Sequence, residues 1–426
     1  MSPTTRVSLV GTAALAIAGT AFAGGSDNDA LTQIAELKQE LAELKAQSGD
    51  AWLTEQRAAE VRGIVQDVLA DADTRTSLQD SGATAGWNNG FFMSSADGNF
   101  KLDVGALVQV RWMLNDAAEQ SNTWGFANAR TSLNFSGNVV DPSWTYRVRL
   151  NTAGGNTSSD FMYVSKSMDN GMSFTAGQFK TPFMRESLVE DGYQQTVNRS
   201  QLNHHFGQGF AQGFQFGYDG GDAWHLDVAY VNALGGMNNT GLQDPYATNW
   251  ALAGRFEYKI AGTWDQFTDG NSSFRGEEFG AMIGGGFAGQ RFNGIGNKVW
   301  GFTVDGTFQF GGASLGVAFV HATLDPAVGD SVSPWGVNVN GGYFVTDDIE
   351  LFGQYDHIDY DIDGADNYGA VTLGMNYFLG GQNAKLTVDW SMNLNSAVAD
   401  NFDGWRTDAA DETDQWVLRA QMQLMF

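Results

Sequence analysis

The chain has 426 residues, with 23 Lys and Arg against 49 Asp and Glu, and its formal charge is −26. This charge excludes a protein that binds nucleic acid through a positive surface. The absence of cysteine excludes disulfides, thiolate metal sites and a cysteine nucleophile. The mean hydropathy of −0.25 is that of an ordinary soluble protein, but an average does not detect alternation along the chain.

Residues 1–23 have the pattern of an export signal peptide. Arg6 supplies a positive start, residues 7–20 are apolar and small, and Ala21-Phe22-Ala23 is an A-x-A cleavage signal. A membrane-spanning helix needs about 20 apolar residues, and no later segment reaches that length. We therefore expect an exported chain without a transmembrane helix. The alternative is that this segment forms a buried N-terminal helix.

Residues 24–86 are predicted to form a periplasmic helical stalk and a linker. Residues 29–47 are rich in helix-forming side chains, and apolar residues repeat there at the a and d positions of a coiled coil, namely Ile34, Leu37, Leu41 and Leu44. Two heptads are too short to be stable alone, so we expect the coiled coil to assist an oligomer held together elsewhere. The alternative is one amphipathic helix packed on its own chain. A second helix is expected over 55–72 and a linker over 75–90.

From residue 100 the period of hydrophobicity becomes two, which indicates β-strands. Over 385–394, for example, Lys, Thr, Asp, Ser and Asn alternate with Leu, Val, Trp, Met and Leu. About sixteen such segments of roughly 9–13 residues occur, the length that crosses a bilayer when tilted. Their approximate starts are Phe100, Phe126, Ser143, Phe161, Met172, Phe210, Ala223, Asn249, Phe279, Lys298, Ala313, Trp335, Ile349, Tyr368, Ala384 and Gln415.

The connections mostly alternate between long and short, as in an outer-membrane barrel with short periplasmic turns and longer external loops. The longest is 181–209. The connection 261–277 should be short and is not, which indicates an insertion or a misplaced strand boundary. The last segment alternates up to a terminal Phe426, like the C-terminal strand recognised during outer-membrane barrel assembly. The predicted fold is an all-β, 16-stranded antiparallel transmembrane barrel over 87–426, with an N-terminal helical or coiled-coil extension.

One motif carries a family resemblance. Gly177-Gln178-Phe179-Lys180-Thr181-Pro182-Phe183, followed by a long polar segment, resembles the motif that enters the large third loop of phosphate-selective porins O and P. With the strand number, the helical extension and the terminal Phe426, the resemblance covers roughly 87–426. It implies a homotrimer of separate channels in the outer membrane of a Gram-negative-type cell. It also implies that the long loop folds inward and narrows each pore.

The basic residues are candidates for the pore lining, because anion selectivity needs positive side chains at the narrowest point. Residues 100–200 contain nine basic and nine acidic residues, whereas the chain from residue 300 onward contains three and eighteen. We therefore expect a positive wall facing a negative wall. The alternative for each inward Arg is a structural ion pair with a neighbouring strand. The candidate residues are Arg111, Arg130, Arg147, Arg149, Lys180, Arg185, Glu186 and Arg199.

One acidic stretch resembles half of a calcium loop. Asp359, Asp361, Asp363 and Gly364 match the first positions of an EF-hand, but Ala370 stands where a bidentate Glu belongs. The two interpretations are a weak external calcium site and a solvated acidic loop. No other cofactor is expected.

The predicted function is an outer-membrane porin for passive diffusion of small hydrophilic solutes, with anionic, phosphate-like solutes as one candidate class. No lysine-rich loop cluster is present, so phosphate specificity stays open. The expected partners are outer-membrane lipid, further copies of the chain and peptidoglycan through the stalk, and no nucleic acid. One alternative is a barrel that tethers the outer membrane through its stalk. The other is a barrel enzyme, for which no motif ties together Ser, His and an acid.

Overall fold

The computed structural model describes residues 38–39, 83–87, 90–118, 120–153, 157–235, 248–268, 270–292, 297–364, 366–395, 404–406, 408 and 414–426. The chain divides into two units, 1–81 and 82–426. The predicted signal peptide and stalk lie outside the described residues, apart from the helical Lys38 and Gln39. No helix in the described part of the chain is long and apolar enough to cross a membrane.

The second unit is a closed antiparallel barrel of sixteen strands. Each strand pairs with the next along the chain, and the last pairs with the first from Asp116↔Trp416 to Leu107↔Met425. The barrel strands are β3 (Lys101–Asp116), β4 (Thr123–Val139), β5 (Asp141–Asn151), β6 (Ser158–Ser167), β7 (Met172–Lys180), β8 (Phe210–Gly220), β9 (Trp224–Val231), β10 (Thr248–Ala261), β11 (Gly280–Phe292), β12 (Lys298–Gln309), β13 (Ala313–Asp325), β14 (Trp335–Phe344), β15 (Ile349–Asp359), β16 (Tyr368–Phe378), β17 (Ala384–Asn393) and β18 (Trp416–Met425). The predicted fold class is confirmed, and every predicted strand start lies within three residues of the observed one.

Alternation sorts the side chains of each strand between the lumen and the outer surface. In β17, Lys385, Thr387 and Asp389 are buried at 1–2% exposure, and the apolar residues between them lie on the outer face. On β4, Trp124 and Phe126 are 69% and 75% exposed. This inside-out arrangement, with polar residues buried and aromatic residues exposed, is expected when the surroundings of the barrel are apolar and its lumen is wet.

A short hairpin precedes the barrel and was not predicted. Its strands are β1 (Ala83–Trp87) and β2 (Phe91–Ser95), so β1 lies within the predicted linker. Strand β2 pairs with β3 at Phe91↔Val104, just beyond the point where β18 ends. The ring of Phe426 lies 6.1 Å from that of Phe91. The hairpin therefore continues the edge of β3 at the end of the barrel where the chain terminates.

Two long connections contain short helices. The connection between β7 and β8 carries α1 (Arg185–Leu188), a 3₁₀ turn (Asp191–Tyr193) and α2 (Gln201–Phe206). The connection between β10 and β11 carries α3 (Trp264–Thr268) at the end of the barrel that has the short turns. The sequence left open an insertion or a misplaced boundary here, and the structure shows an insertion.

Gly177, in the family motif, is required by a close approach between strands. Its φ is +130°, and a Cβ at this position would lie 2.2 Å from the carbonyl oxygen of Met162 on β6. The next side chain, Gln178, donates to the carbonyl oxygen of Asp160 at 2.9 Å. The motif thus fixes β7 closely against β6 directly before the long loop.

We predict that Gly177→Ala destabilises the barrel, because the new methyl group must displace β6 and the backbone conformation is strained. The strain alone is worth roughly 1–3 kcal/mol. Gly125→Ala is the matched control, because nothing lies within 4 Å of a Cβ there and its φ is ordinary. Thermal unfolding of both variants in detergent measures the difference. Equal stability of the two variants would contradict this explanation of the motif.

Candidate pore constriction

Residues 181–209, the constriction loop, fold into the lumen. The loop starts and ends at one point, where the backbone N–H of Thr181 donates to the carbonyl of Gly209 at 2.8 Å. Between these ends its side chains are largely buried; Val197 and Leu202 are at most 1% exposed. Ion pairs and hydrogen bonds join the loop to the polar parts of the inner wall, and apolar contacts support its returning part.

Glu190 joins the loop to the early strands. Its carboxylate lies 2.9 Å from Arg147 Nη1 and 2.7 Å from Arg149 Nη1. Lys180, at the entry of the loop, lies 3.8 Å away and also donates to the carbonyl of Val189 at 3.1 Å. One loop carboxylate is thus shared by three cations from β5 and β7.

Asp191, the next residue, has its own group of cations. Its carboxylate lies 2.7 Å from Arg199 Nη1, 3.6 Å from Arg130 Nε and 3.6 Å from Arg149 Nη2. Arg199 belongs to the returning part of the loop, whereas Arg130 and Arg149 belong to the wall. The pair of adjacent carboxylates therefore binds two stretches of the loop to each other and to the barrel.

The whole group, here called the anchor cluster, has an excess of positive charge. It comprises Glu190, Asp191, Asp160, Arg130, Arg147, Arg149, Lys180 and Arg199. Asp160 on β6 accepts from Arg149 Nη2 at 3.0 Å. Phe161 lies beneath the two guanidinium groups, with its ring centroid 4.0 Å from Cζ of Arg147 and 4.7 Å from Cζ of Arg149. Five cations face three carboxylates, so the cluster carries a net charge of +2.

The pKa of the Asp191 carboxyl group is lowered by the cations of the cluster. Burial opposes the charge of Asp191, but Arg199, Arg130, Lys180 and Arg149 lower its pKa far below the ordinary value. Because the pKa is lower in the folded state than in the unfolded state, the stabilisation is complete above the ordinary aspartate pKa of about 3.9. It is lost only as the pH falls through the lower folded value. The anchor therefore persists throughout the physiological pH range.

Arg185 and Glu186 lie outside the anchor cluster. Arg185 Nη1 lies 3.4 Å from Glu257 on β10. The carboxylate of Glu186 accepts from the backbone N–H of Ser200 at 2.7 Å and from its hydroxyl group. Burial raises the pKa of Glu186, and the two hydrogen bonds from Ser200 oppose this shift. Glu186 thus connects the entering and returning parts of the loop.

Arg111 also binds the loop, and it lies on β3, the strand that pairs with β18 to close the barrel. Its Nη2 donates to the carbonyl of Val197 at 3.1 Å and to Gln421 Oε1 at 2.9 Å. All eight predicted residues therefore belong to the constriction loop or contact it. The alternative of an ion pair with a neighbouring strand describes part of their bonding, since Arg149 on β5 also pairs with Asp160 on β6 at 3.0 Å.

The residues of β15 and β17 that bind the loop were not among the residues predicted from the sequence. Glu350 accepts from Gln195 Nε2 at 2.7 Å, and Lys385 donates to the carbonyl of Gln194 at 2.7 Å. Asp389 accepts from the backbone N–H of Val197 at 3.0 Å. Alternation places these side chains on the polar face of their strands, but it does not indicate what they bind.

Arg255 on β10 was also missed. Its guanidinium binds Asp305 on β12 at 2.7 Å and Glu257 at 2.7 Å, and it donates to the carbonyl of Phe183 at 2.9 Å. This group supports the first turn of the loop. Glu257 also pairs with Arg185, so two arginines face two carboxylates and the group adds no excess charge to the lumen.

An apolar group inside the barrel supports α2. It is formed by loop side chains and by inward residues of β10, β11, β13, β15 and β16, including Phe183, Met184, Leu202, Phe206, Val320 and Ile358. Such a core inside a lumen fixes the returning part of the loop, because removing it would expose several apolar side chains to water.

The acidic stretch after β15 uses its carboxylates on the backbone. Asp359 accepts from the N–H of Asp361 at 2.9 Å, and Asp361 accepts from the N–H of Ser333 at 2.7 Å. In the part of the chain that the structure describes, no three His, Asp or Glu residues form a group that could hold a metal ion. The calcium hypothesis stays a prediction.

We predict that Asp191→Asn destabilises the folded barrel by roughly 2 kcal/mol, the scale of a lost hydrogen bond to a charged group. Arg199 and Arg130 would then keep their charge without this carboxylate. Asp169→Asn, in the exposed turn between β6 and β7, is the matched control. Thermal unfolding near neutral pH measures both, and an equal effect of the two substitutions would contradict the role of Asp191 as an anchor.

The comparisons with known proteins agree with this geometry. Residues 95–279 match the family model described as phosphate-selective porin O and P, and no curated protein sequence matches the chain. Solved structures similar to this chain comprise 228 chains. The anion-selective porin of Comamonas acidovorans has a TM-score of 0.53 at 12% identity, covering 76% of this chain and 99% of that porin.

Two further similar structures come from Salmonella typhi and Vibrio cholerae. OmpF of Salmonella typhi, in complex with daunomycin, has a TM-score of 0.56 at 12% identity and covers 80% of this chain and 100% of its own. The trimer form of OmpT of Vibrio cholerae has a TM-score of 0.50 at 13% identity, with 76% and 99% covered. The fold is therefore that of an outer-membrane porin, and the predicted resemblance to the phosphate-selective porin O and P family is confirmed over residues 95–279.

Proposed function

We propose that this chain is an outer-membrane porin that passes small hydrophilic solutes down their gradients and prefers anions. The observation that carries the proposal is the anchor cluster, in which the inward loop places its own carboxylates on a wall that still has two excess positive charges. An excess of one sign at the narrowest part of a pore favours ions of the opposite sign.

The late wall is less negative than its composition suggests. Asp305 and Asp389 are bound by Arg255 and Arg419 at 2.7 and 2.6 Å. Much of the acidic excess of the chain lies in short turns and external connections, where it is screened by salt. This distribution supports a preference for anions in a chain whose net charge is −26.

The preference rests on an excess of charge and not on a site shaped for phosphate. Four of the five cations of the anchor cluster are already hydrogen-bonded to carboxylates or carbonyl oxygens of the loop. A phosphate ion would have to compete with these partners. We therefore infer a general preference for small anions, with phosphate as one permeant ion among others.

The expected partners follow from the outer surface and the fold. Exposed aromatic and aliphatic side chains surround the barrel, including Trp250, Phe256, Trp300 and Phe302, which supports contact with lipid. The trimer form of the similar Vibrio cholerae OmpT supports a homotrimer. The signal peptide over 1–23 and the periplasmic stalk over 24–86 belong to the same proposal, with peptidoglycan as the partner of the stalk.

Recording from planar bilayers tests the channel and its preference together. We expect the purified protein to conduct ions. In asymmetric chloride or phosphate, the reversal potential should have the sign of a channel that is more permeable to anions than to cations. Arg147→Gln removes a positive charge and should reduce the anion preference. Glu190→Gln removes a negative charge and should increase it. If a substitution changes the electrostatic energy of a permeating ion by about kT, the permeability ratio should change on the order of threefold.

The double variant is the control for structural damage. Arg147→Gln with Glu190→Gln leaves the net charge of the cluster unchanged, so its preference should return to that of the wild type. Absence of conductance in the wild type would reject the channel. Cation preference in the wild type, or shifts of the same sign in both single variants, would reject the anion proposal.

Deletion of residues 29–47 tests the stalk. We expect single-channel conductance to stay unchanged, because the pore is built from the barrel, and binding to isolated peptidoglycan to be lost. A full-length protein that does not sediment with peptidoglycan would reject this partner. A deletion variant with altered conductance would show that the stalk also shapes the channel.

A further inference from the structure

Residues 262–279, here called the inward turn, connect β10 to β11 at the end of the barrel that carries the short turns. Phe267, Ser272 and Ser273 within it are at most 1% exposed. If this periplasmic turn only joined two strands, we would expect it to be short and its side chains to be exposed. Their burial shows that the turn folds into the lumen from the end opposite to the opening of the constriction loop.

The inward turn is bound to the late wall of the barrel. Phe274 packs against Phe344 and Phe378, with ring centroids 5.1 and 4.9 Å apart. Gln309 on β12 points its Nε2 at the carbonyls of Gly270 and Ser272, each at 3.4 Å. These contacts hold the turn across β12, β14 and β16, the part of the barrel that the anchor cluster does not reach.

The inward turn also touches the constriction loop directly. Arg185 in the loop donates to the carbonyl of Phe267. At Gly270, whose φ is +70°, a Cβ would lie 2.6 Å from the carbonyl oxygen of Tyr193. The two segments therefore meet backbone to backbone, and a residue with a side chain would separate them.

One wall residue connects both segments. Glu350 on β15 accepts from Gln195 of the loop at 2.7 Å and from Ser272 of the turn at 2.9 Å. A cavity of about 50 Å³ lies against both, lined by Gln195, Asn271 and residues of β12 to β15. The buried Oε1 of Gln195 has no protein partner among the described residues. The space left on this side of the lumen is thus bounded by the loop and the turn together.

We infer that the inward turn is the second half of the constriction. It positions the constriction loop from the periplasmic side and sets, with the loop, the size limit for solutes. This inference rests on the proposed porin function. A sixteen-stranded barrel encloses a wide lumen; the anchor cluster holds the loop only on the early wall, and the inward turn supports it from the late wall.

The test is the conductance and the solute-size limit of a shortened variant. Replacing residues 263–279 by Asn-Gly, a sequence that forms a tight hairpin turn, should raise single-channel conductance on the order of twofold or more. Larger sugars should then enter proteoliposomes in a swelling assay. Phe267→Ala should give a smaller increase of the same sign, because it loosens the turn without altering a strand.

Glu278→Gln is the control within the same segment, since its side chain is exposed and it should leave both readouts unchanged. Heat-dependent mobility on gels shows whether each variant is folded; if the shortened protein does not fold, Phe267→Ala decides the question. A wild type without conductance would reject the porin function itself. A conducting wild type whose folded variants keep the same conductance and size limit would overturn the inference about the turn and leave the porin function intact.

Discussion

The attachment of Glu190 and Asp191 to the basic wall is the interaction on which the interior of the barrel depends. A buried carboxylate is stable only when opposite charges and hydrogen bonds compensate its lost hydration. Here two adjacent carboxylates are compensated by five cations drawn from three strands and from the loop itself. Because Arg199 forms an ion pair with Asp191, the entering and returning parts of the loop are joined at the point where the loop meets the wall. The rest of the loop is positioned relative to this fixed point.

From that point the loop crosses to the late strands, where a different chemistry holds it. Glu350, Lys385 and Asp389 bind backbone groups and an amide side chain of the loop. The early wall therefore supplies charge, and the late wall supplies individual hydrogen bonds. This division explains how a strongly acidic chain retains a positive patch in its lumen. Two carboxylates of the late strands, Asp305 and Asp389, are paired with Arg255 and Arg419.

Most of the barrel could be predicted from the sequence. A strand with one face in water and one face in an apolar environment has polar and apolar residues that alternate along the chain. The β1–β2 hairpin was missed because residues 83–95 mix small and aromatic residues without that period. Candidate basic residues could be named because alternation places them on the polar face. Their partners could not: Arg149 and Glu190 are 41 residues apart, and Gln195 and Glu350 are 155 apart. No local pattern relates such pairs. The unusual length of the inward turn was visible in the sequence, and its aromatic residues, among them Phe267 and Phe274, were the signal that part of it would be buried.

The hydrogen bonds between the constriction loop and β18 bear on how the protein assembles. Gln423 donates to the carbonyl of Gly192, 231 residues earlier, and Gln421 holds Arg111, which in turn holds Val197. Contacts between such distant parts of a chain slow folding, because the intervening chain must be closed into a loop before they can form. The final seating of the loop thus requires the same strand that closes the barrel. Closure of the barrel and seating of the constriction loop therefore depend on the same strand, so an intermediate in which β18 is not yet paired would also lack these contacts of the loop.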